Sequence, residues 1–224
     1  MNKLPCLVAT LMCSTWCIIA QNSSNGHEWI DLGLPSGLKW ATCNVGATKP
    51  EEYGDYFAWG ETVTKITYDW STYKYGAAYD KLTKYCTNAL YGLDNFANSK
   101  TILDIEDDAA NSDWGGNWRI PTFEEWTELR EHCIWTWTAN YNNIGISGYI
   151  VTGKNNGKSI FLPAAGAYND DDLDDAGSSG LYWSSSINMT DPYFAWHVRF
   201  SADLLFAYSV GRIYGLSIRP VLKE

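Results

Sequence analysis

The feature that most constrains this chain is a long aromatic segment with no regular spacing. Residues 45–88 contain ten Tyr, Trp and Phe side chains, which follow neither the 3.6-residue period of a helix nor the alternation of a strand. A segment of this length without regular secondary structure must be held in place by its own side chains. The sequence therefore predicts a large irregular region packed around aromatic rings.

Composition limits the class of protein further. The chain has 224 residues with 12 Trp and 15 Tyr, and only 19% of its residues are charged, which excludes a disordered chain and a coiled coil. The length is typical of one large domain. With 26 acidic against 16 basic residues the formal charge is −10, and no basic stripe is present that could neutralise phosphates. Nucleic acid is therefore not an expected partner.

The first twenty residues have the layout of a secretory signal peptide. Lys3 is their only charged residue, an apolar run occupies residues 4–20, and polar residues begin at Gln21. We predict cleavage after Ala20, then a short polar segment at 21–27 and a single domain at 28–224. The protein is expected to be secreted or held in the cell envelope. No membrane span is expected in the mature chain, since no second long apolar stretch follows.

Two other interpretations of the N-terminal run stay open. The run is at the lower limit of length for a membrane anchor, and it contains Pro5. A lipid anchor on Cys13 or Cys17 is the second alternative, but the bulky residues Met12 and Trp16 precede these cysteines. Plain secretion is the favoured prediction.

The cysteine count indicates at most one disulfide in the mature chain. Cleavage leaves Cys43, Cys86 and Cys133, an odd number in an oxidising compartment. Cys86 closes the aromatic segment and Cys133 ends a predicted helix, so we pair these two and leave Cys43 buried as a small apolar residue. The wide spacing contains no CxxC pair of the kind that binds zinc.

Several segments have clear secondary-structure signals. A Pro and Gly turn at 33–37 joins strand-like segments at 29–32 and 38–43, which predicts a hairpin. Acidic residues favour a helix near 103–111. The strongest helix signal is 121–133, where Thr122 and Glu125 are spaced as a capping box and Trp126, Leu129 and Cys133 share one face.

After this helix the chain alternates as strands do. We predict strands at 134–138, 148–152, 159–162, 181–185, 194–201, 204–210 and 216–221. Two helices followed by many short strands predict an α+β fold.

Six sequence blocks together resemble one family. They are WIDLGLPSGLKWATCNVGA at 29–47, YFAWGE at 56–61, WGGNWRIPT at 114–122, LPAAG at 162–166, YWSS at 182–185 and GLSIRPV at 215–221. In this order they resemble the Fibrobacter succinogenes major paralogous domain family, which consists of secreted and lipid-anchored bacterial surface proteins. The resemblance covers about residues 28–222.

This resemblance implies a C-type-lectin-like fold, in which two helices and long irregular loops surround a small, twisted, mostly antiparallel sheet. It also implies that the two ends of the domain pair as strands, so we expect the strand at 29–32 beside the strand at 216–221. The resemblance implies little about chemistry, because fold alone does not define function.

No catalytic constellation is visible, so an enzyme is not expected. Residues 119–122 with Glu125 and Trp126 are also similar to the helix start of formylglycine-generating enzymes, but the late cysteines of those enzymes are missing, since none follows Cys133. The histidines show no metal-binding spacing and no serine lies in a nucleophile elbow. A hydrolase is the least favoured function.

The acidic turn at 169–179 is a candidate calcium loop. Asp170, Asp172 and Asp174 offer hard oxygen ligands at the spacing of calcium loops. The fit is incomplete, because Asp175 and Leu181 stand where an EF-hand has Gly and Glu. A solvated acidic loop is the alternative, and no other cofactor is expected.

The aromatic side chains Tyr68, Trp70, Tyr73 and Tyr75 are the candidate ligand-binding residues. Sugar rings stack on aromatic faces while nearby polar groups bond their hydroxyls. The alternative is that these rings fill the core of the irregular region. We expect binding on the loops at 68–79 and 169–179, because loops rather than the core carry function.

These features predict a secreted or cell-surface binding module without enzymatic activity, recognising a glycan or an extracellular protein. The alternative function is a structural or adhesin component of a surface assembly. Arg119 and Arg219 each lie next to a strand or aromatic segment and a proline, so we expect them to hold carboxylates or loop carbonyls in a structural role.

Overall fold

The computed structural model describes residues 22–223; the predicted signal peptide, at 1–20, lies outside them. In this part of the chain strands and isolated β-bridges account for 38% of the residues and helices for 12%. None of its helices has the length and apolar character needed to cross a membrane.

Two α-helices and twelve strands lie within residues 22–223. The helices are α1 (Ala109–Trp114) and α2 (Phe123–His132), with 3-10 turns at Ala89–Tyr91, Leu93–Asn95 and Ile105–Asp107. The strands are β1 (Ser23–Ser24), β2 (His27–Asp31), β3 (Lys39–Ala41), β4 (Cys133–Tyr141), β5 (Ile146–Gly153), β6 (Ser159–Pro163), β7 (Ala167–Asn169), β8 (Asp172–Asp174), β9 (Ser179–Ile187), β10 (Phe194–Ser201), β11 (Leu204–Gly211) and β12 (Val221–Leu222).

The strands form four small sheets, with neighbouring strands antiparallel. Their orders are β1-β2-β3-β12, β4-β5-β6, β7-β8 and β11-β10-β9. The predicted hairpin at the start of the domain is confirmed, with Trp29 opposite Ala41. Its sheet extends into the predicted polar segment, because Ser24 pairs with His27.

The predicted α+β, C-type-lectin-like fold is wrong. The chain is mostly β, and its strands are divided among four sheets instead of one sheet flanked by two helices. The helical content is lower than predicted, partly because the helix expected at 103–111 does not form as one element. A 3-10 turn ends at Asp107, and the helix α1 that follows is only six residues long. Asp108 caps α1 by accepting from Asn111 N at 3.1 Å, so the acidic residues end one turn and begin the next.

The two ends of the domain meet, but through a different strand from the one expected. The final strand β12 pairs with β3, with Val221 opposite Trp40, so β3 separates it from β2. Most of the predicted strand at 216–221 is irregular, and it makes isolated bridges from Leu216 to Phe57 and from Ser217 to Tyr182. This segment therefore joins the irregular region to the sheets.

Helix α2 forms as its sequence predicts. Thr122 and Glu125 make a complete capping box, and Trp126 and Leu129 are buried. Arg119 donates to both carboxylate oxygens of Glu125, at 2.7 and 2.5 Å. The same carboxylate therefore serves the helix start and the guanidinium, which agrees with the expected structural role of Arg119.

Arg219 is fully buried and holds three backbone carbonyls from two places in the sequence. Its guanidinium donates to Ala41 O at 3.1 Å, to Thr42 O at 2.7 Å and to Phe161 O at 2.9 Å, and its Nε donates to Asn44 Oδ1 at 2.9 Å. The expected structural role of this arginine therefore agrees with its contacts.

Replacing Arg219 with Met should destabilise the fold far more than replacing Arg119 with Met. Loss of Arg219 leaves several buried carbonyls unpaired, at a cost of about 3–5 kcal/mol. Arg119 and Glu125 are partly exposed, so their pair contributes about 1 kcal/mol. Urea unfolding of both variants measures the difference, and equal losses would contradict this assignment.

Candidate functional site

The predicted stacking residues lie in the core and do not form a surface. Tyr68, Tyr73 and Tyr75 are only 2%, 6% and 8% exposed. The hydroxyl of Tyr68 donates to Tyr56 O at 2.5 Å and that of Tyr73 to Trp59 O at 2.8 Å. Trp70 is partly buried, and its ring packs edge-on against Tyr73. These rings therefore fill the irregular region, which was the alternative interpretation.

The acidic turn is exposed and its carboxylates do not converge. Asp172 and Asp174 lie in β8, which pairs with β7 in a short hairpin, and Asp170 lies at its tip with a φ of 60°. Tyr68 N donates to Asp170 O at 2.8 Å, so the two loops that we expected to share a ligand are indeed adjacent. Within residues 22–223, the carboxylates that gather in a group of three are Asp104, Glu106 and Asp107 instead.

Lys84 bridges the three carboxylates of this other acidic group, and Lys74 and Lys100 pair with Asp107 and Asp104. The Lys84 ammonium lies 3.0 Å from Asp104, 3.6 Å from Glu106 and 2.5 Å from Asp107. Burial alone would raise the pKa of Asp107, but hydrogen bonds from Lys84, Tyr75 and Tyr85 outweigh it and lower the pKa to about 2. Lysine side chains of the protein itself therefore lie among these carboxylates. Through Asp107, the cluster also links Tyr75 and Tyr85 of the aromatic region.

The predicted Cys86–Cys133 disulfide is not formed, since Cys43, Cys86 and Cys133 are free thiols in the structure. Cys133 starts β4 and packs in the apolar cluster around α2. The thiol of Cys86 instead lies in the loop region, 3.1 Å from Asn88 O. Cys43 is only partly buried, and burial raises the pKa of all three thiols.

An open groove on the β9-β10-β11 sheet is the best candidate site. One face of this sheet carries Val198 and Phe200, which pack in the cluster that contains α2. The other face is only partly covered and holds a groove of about 520 Å³. The groove is lined by Leu181, Phe194, His197, Arg199, Phe206, Tyr208, Ser209, Val210, Gly211 and Tyr214.

Strand register brings the groove's side chains into two rows. Leu181, Arg199 and Phe206 lie opposite one another across the three strands, and Trp183, His197 and Tyr208 form the next row. Residues directly opposite in antiparallel strands share a face, so each row presents its side chains to the same side. Aromatic and polar groups therefore alternate over a short distance.

Phe206 and Tyr208 form the aromatic surface of the groove. Tyr208 is 62% exposed, and its ring lies 5.3 Å from that of Phe206, in an edge-on arrangement. Both stand on β11 two residues apart, on the same face. The sequence predicted this strand but could not show that its aromatic face is uncovered.

His197 forms part of the groove floor and is only 3% exposed. Its ring packs edge-on against Trp183, and its Nδ1 has no hydrogen-bond partner among residues 22–223. Burial and then the charge of Arg199 lower the pKa of His197 to about 4, against a smaller opposing effect of the Tyr208 backbone. This histidine is therefore neutral near pH 7.

Arg199 and Asp175 lie at the acidic end of the groove. Arg199 Nη2 donates to Asp175 Oδ2 at 2.9 Å, and the two side chains are 43% and 47% exposed. Asp175 belongs to the predicted acidic turn, so this turn borders the groove even though its carboxylates do not converge on one site. The groove thus offers aromatic faces, hydrogen-bond donors and an acceptor.

A second cavity, of about 400 Å³, lies beside β2 and is lined in part by His27, Cys43 and Trp114. The His27 ring stacks on Trp114 at 3.8 Å, and burial lowers the pKa of His27. The thiol of Cys43 is not activated, because burial raises its pKa. This cavity lacks the exposed aromatic faces of the groove.

One family model matches part of the chain. Residues 136–221 match a family described as a domain of unknown function (DUF8237), and these residues include all those that line the groove as well as Asp175. No curated protein and no solved structure matches the chain.

The His197→Phe variant should resist acid better than the original protein. As the pH falls from 6.5 to about 4, the unfolded chain binds a proton at His197 that the folded chain excludes, so the original protein loses stability over this range. At pH 5 this proton lowers the free energy of unfolding by about 2 kcal/mol relative to pH 7. A Phe ring keeps the contact with Trp183 and has no proton to bind.

Urea unfolding at pH 7 and pH 5 measures this difference. Asp108 acts in the opposite direction, because burial raises its pKa to about 6 and the folded chain then gains stability as the pH falls towards 4. Asp108 is present in both proteins, so the difference between their pH dependences is due to His197. An identical pH dependence in the two proteins would show that His197 is not held neutral.

Proposed function

We propose that this protein is an extracellular binding module without enzymatic activity, and that its groove on the β9-β10-β11 sheet holds a carbohydrate. The observation that carries the proposal is the exposed Tyr208 ring and the half-buried Phe206 ring beside the polar pair Arg199 and Asp175. Binding sites commonly combine apolar and aromatic walls with a few placed polar groups.

Sugar rings suit this arrangement because they have flat C–H faces and polar edges. A ring stacked on Tyr208 would place its hydroxyls within reach of groups along the sheet, while aromatic contact supplies area at a low entropy cost. The groove volume of about 520 Å³ is within the usual range for small-molecule sites. Ser209 and Arg199 supply further hydrogen-bonding groups among the residues that line the groove.

Two features of the sequence support an extracellular location. Residues 1–20 have the layout of a secretory signal peptide, and the six sequence blocks resemble a family of bacterial surface proteins. A lipid anchor instead of plain secretion would place the same groove at the cell surface.

The lack of a carboxylate pair supports binding without hydrolysis. Glycosidases use two carboxylates on either side of the scissile bond. Among the described residues that line the groove there is neither Asp nor Glu, and the adjacent Asp175 is paired with Arg199.

Replacing Tyr208 with Ala should weaken glycan binding by about tenfold, because it removes a stacking face worth about 1.4 kcal/mol. The Tyr79→Ala variant is the matched control, since Tyr79 is also exposed, at 54%, but does not line the groove. A glycan array followed by calorimetry on the best ligand measures both effects.

Unchanged stability of Tyr208→Ala, measured by thermal unfolding, would show that the loss concerns the groove. Equal losses in the two tyrosine variants, or no glycan bound by the original protein, would contradict the proposal. The Trp70→Ala variant should lose stability and keep the affinity of its folded fraction, since Trp70 packs on the buried Tyr73 ring.

A structural role in a surface assembly is the second candidate function, and strand β11 favours it. Within residues 22–223 this edge strand pairs only with β10, and its eight residues include no charge and no proline. Edge strands usually carry charged residues or proline, which prevent pairing with other chains.

Analytical ultracentrifugation of the Leu204→Lys variant tests this role. Loss of self-association would support it, whereas a monomeric original protein would exclude assembly through self-pairing.

A further inference from the structure

The Arg199–Asp175 ion pair at the end of the groove affects which class of carbohydrate can bind there. We infer that the groove selects uncharged glycans over acidic ones, because Asp175 already compensates the one charged side chain in its lining, that of Arg199. This inference rests on the proposed function and specifies the ligand class of the same site.

The Arg199–Asp175 pair suits hydroxyl groups in particular. Its single hydrogen bond runs from Nη2 to Oδ2, whereas a guanidinium has five N–H donors and a carboxylate has two acceptor oxygens. About half of each side chain is exposed, so unused donors and an unused acceptor lie side by side. A sugar hydroxyl both donates and accepts, and can therefore bond to both partners without separating them.

An acidic sugar would meet an unfavourable arrangement at the same place. Its carboxylate or sulfate would either displace Asp175 from Arg199 or lie beside the charge of Asp175. The turn around this residue adds the exposed Asp170, Asp171, Asp172 and Asp174. Of the described residues that line the groove, Arg199 is the only one with a formal charge at pH 7, since His197 is neutral.

Arg199 lies between two apolar residues in the row next to that of Tyr208. Leu181 and Phe206 lie on either side of it across the sheet. The row that contains Tyr208 lies two residues along each strand, at a spacing of about 7 Å. A sugar on Tyr208 and the next sugar of a chain would thus span the aromatic face and the ion pair.

The first experiment compares neutral and acidic glycans of matched linkage on the purified full chain. An array pairs neutral glucans, galactans and mannans with uronic acid polymers of the same linkage, and calorimetry follows on the bound members. The neutral member of a bound pair should bind at least about tenfold more tightly, the change expected for one lost charged hydrogen bond.

The Asp175→Asn variant tests the cause of this selectivity. Asp175 has a φ of 60°, a conformation that Asn also tolerates, so the turn should keep its shape. With the compensating charge removed, the preference for the neutral member should fall by about tenfold or reverse. Asp171→Asn is the matched control, because it removes an equal charge from the same turn without touching Arg199, and it should leave the preference unchanged.

The possible results separate the inference from the proposed function. Equal or tighter binding of acidic glycans by the original protein would overturn the inference and leave carbohydrate binding intact. An equal shift in the Asp175→Asn and Asp171→Asn variants would also overturn it, since general charge and not the ion pair would then set selectivity. Failure to bind any glycan would reject the proposed function and the inference with it.

Discussion

The structure depends on one buried arginine that ties the irregular aromatic region to the β9-β10-β11 sheet. Arg212 is fully buried immediately after β11. It donates through Nε to the Tyr73 hydroxyl at 2.9 Å and through its terminal nitrogens to the carbonyls of Lys84, Tyr85 and Pro192. Its guanidinium also lies 5.1 Å from the ring centre of Trp59, so one side chain satisfies loop carbonyls and packs against aromatic faces.

This attachment explains why the candidate site lies on the sheet and not on the loops. The aromatic region covers the inner part of one face of the sheet, where Trp183 Nε1 donates to Phe57 O at 2.7 Å and Trp59 Nε1 to Ser184 O at 2.8 Å. On the outer strand it reaches Val210 but leaves Tyr208 exposed and Phe206 half-buried. The groove is therefore the part of a sheet face that the irregular region leaves uncovered.

Local sequence signals predicted local structure well. The strand at 194–201 was predicted with the bounds of β10, and helix α2 has the predicted capping box because Thr122 and Glu125 act within one turn. These features depend on neighbours in sequence, so spacing alone defines them. The wide scatter of aromatic residues at 45–88 likewise indicated an irregular, self-packed region.

The fold class and the site could not be predicted in the same way, because both depend on contacts between distant segments. Spacing cannot show that Tyr68 and Tyr73 point inward while Tyr208 stays exposed. Nothing near Arg212 in the sequence indicates that its partners lie more than a hundred residues away, at Tyr73 and Tyr85. The Cys86–Cys133 pairing failed for the same reason, since no local signal separates a buried free thiol from a bridged one.

The central claim is that ligand binds on the sheet face and not on the aromatic loops. Hydrogen–deuterium exchange of the full chain, with and without the neutral glycan that it binds best, tests this claim most directly. We expect slower exchange in β10, β11 and the turn around Asp175, with no change at 68–79. Protection confined to 68–79, or no protection in β11, would contradict the account.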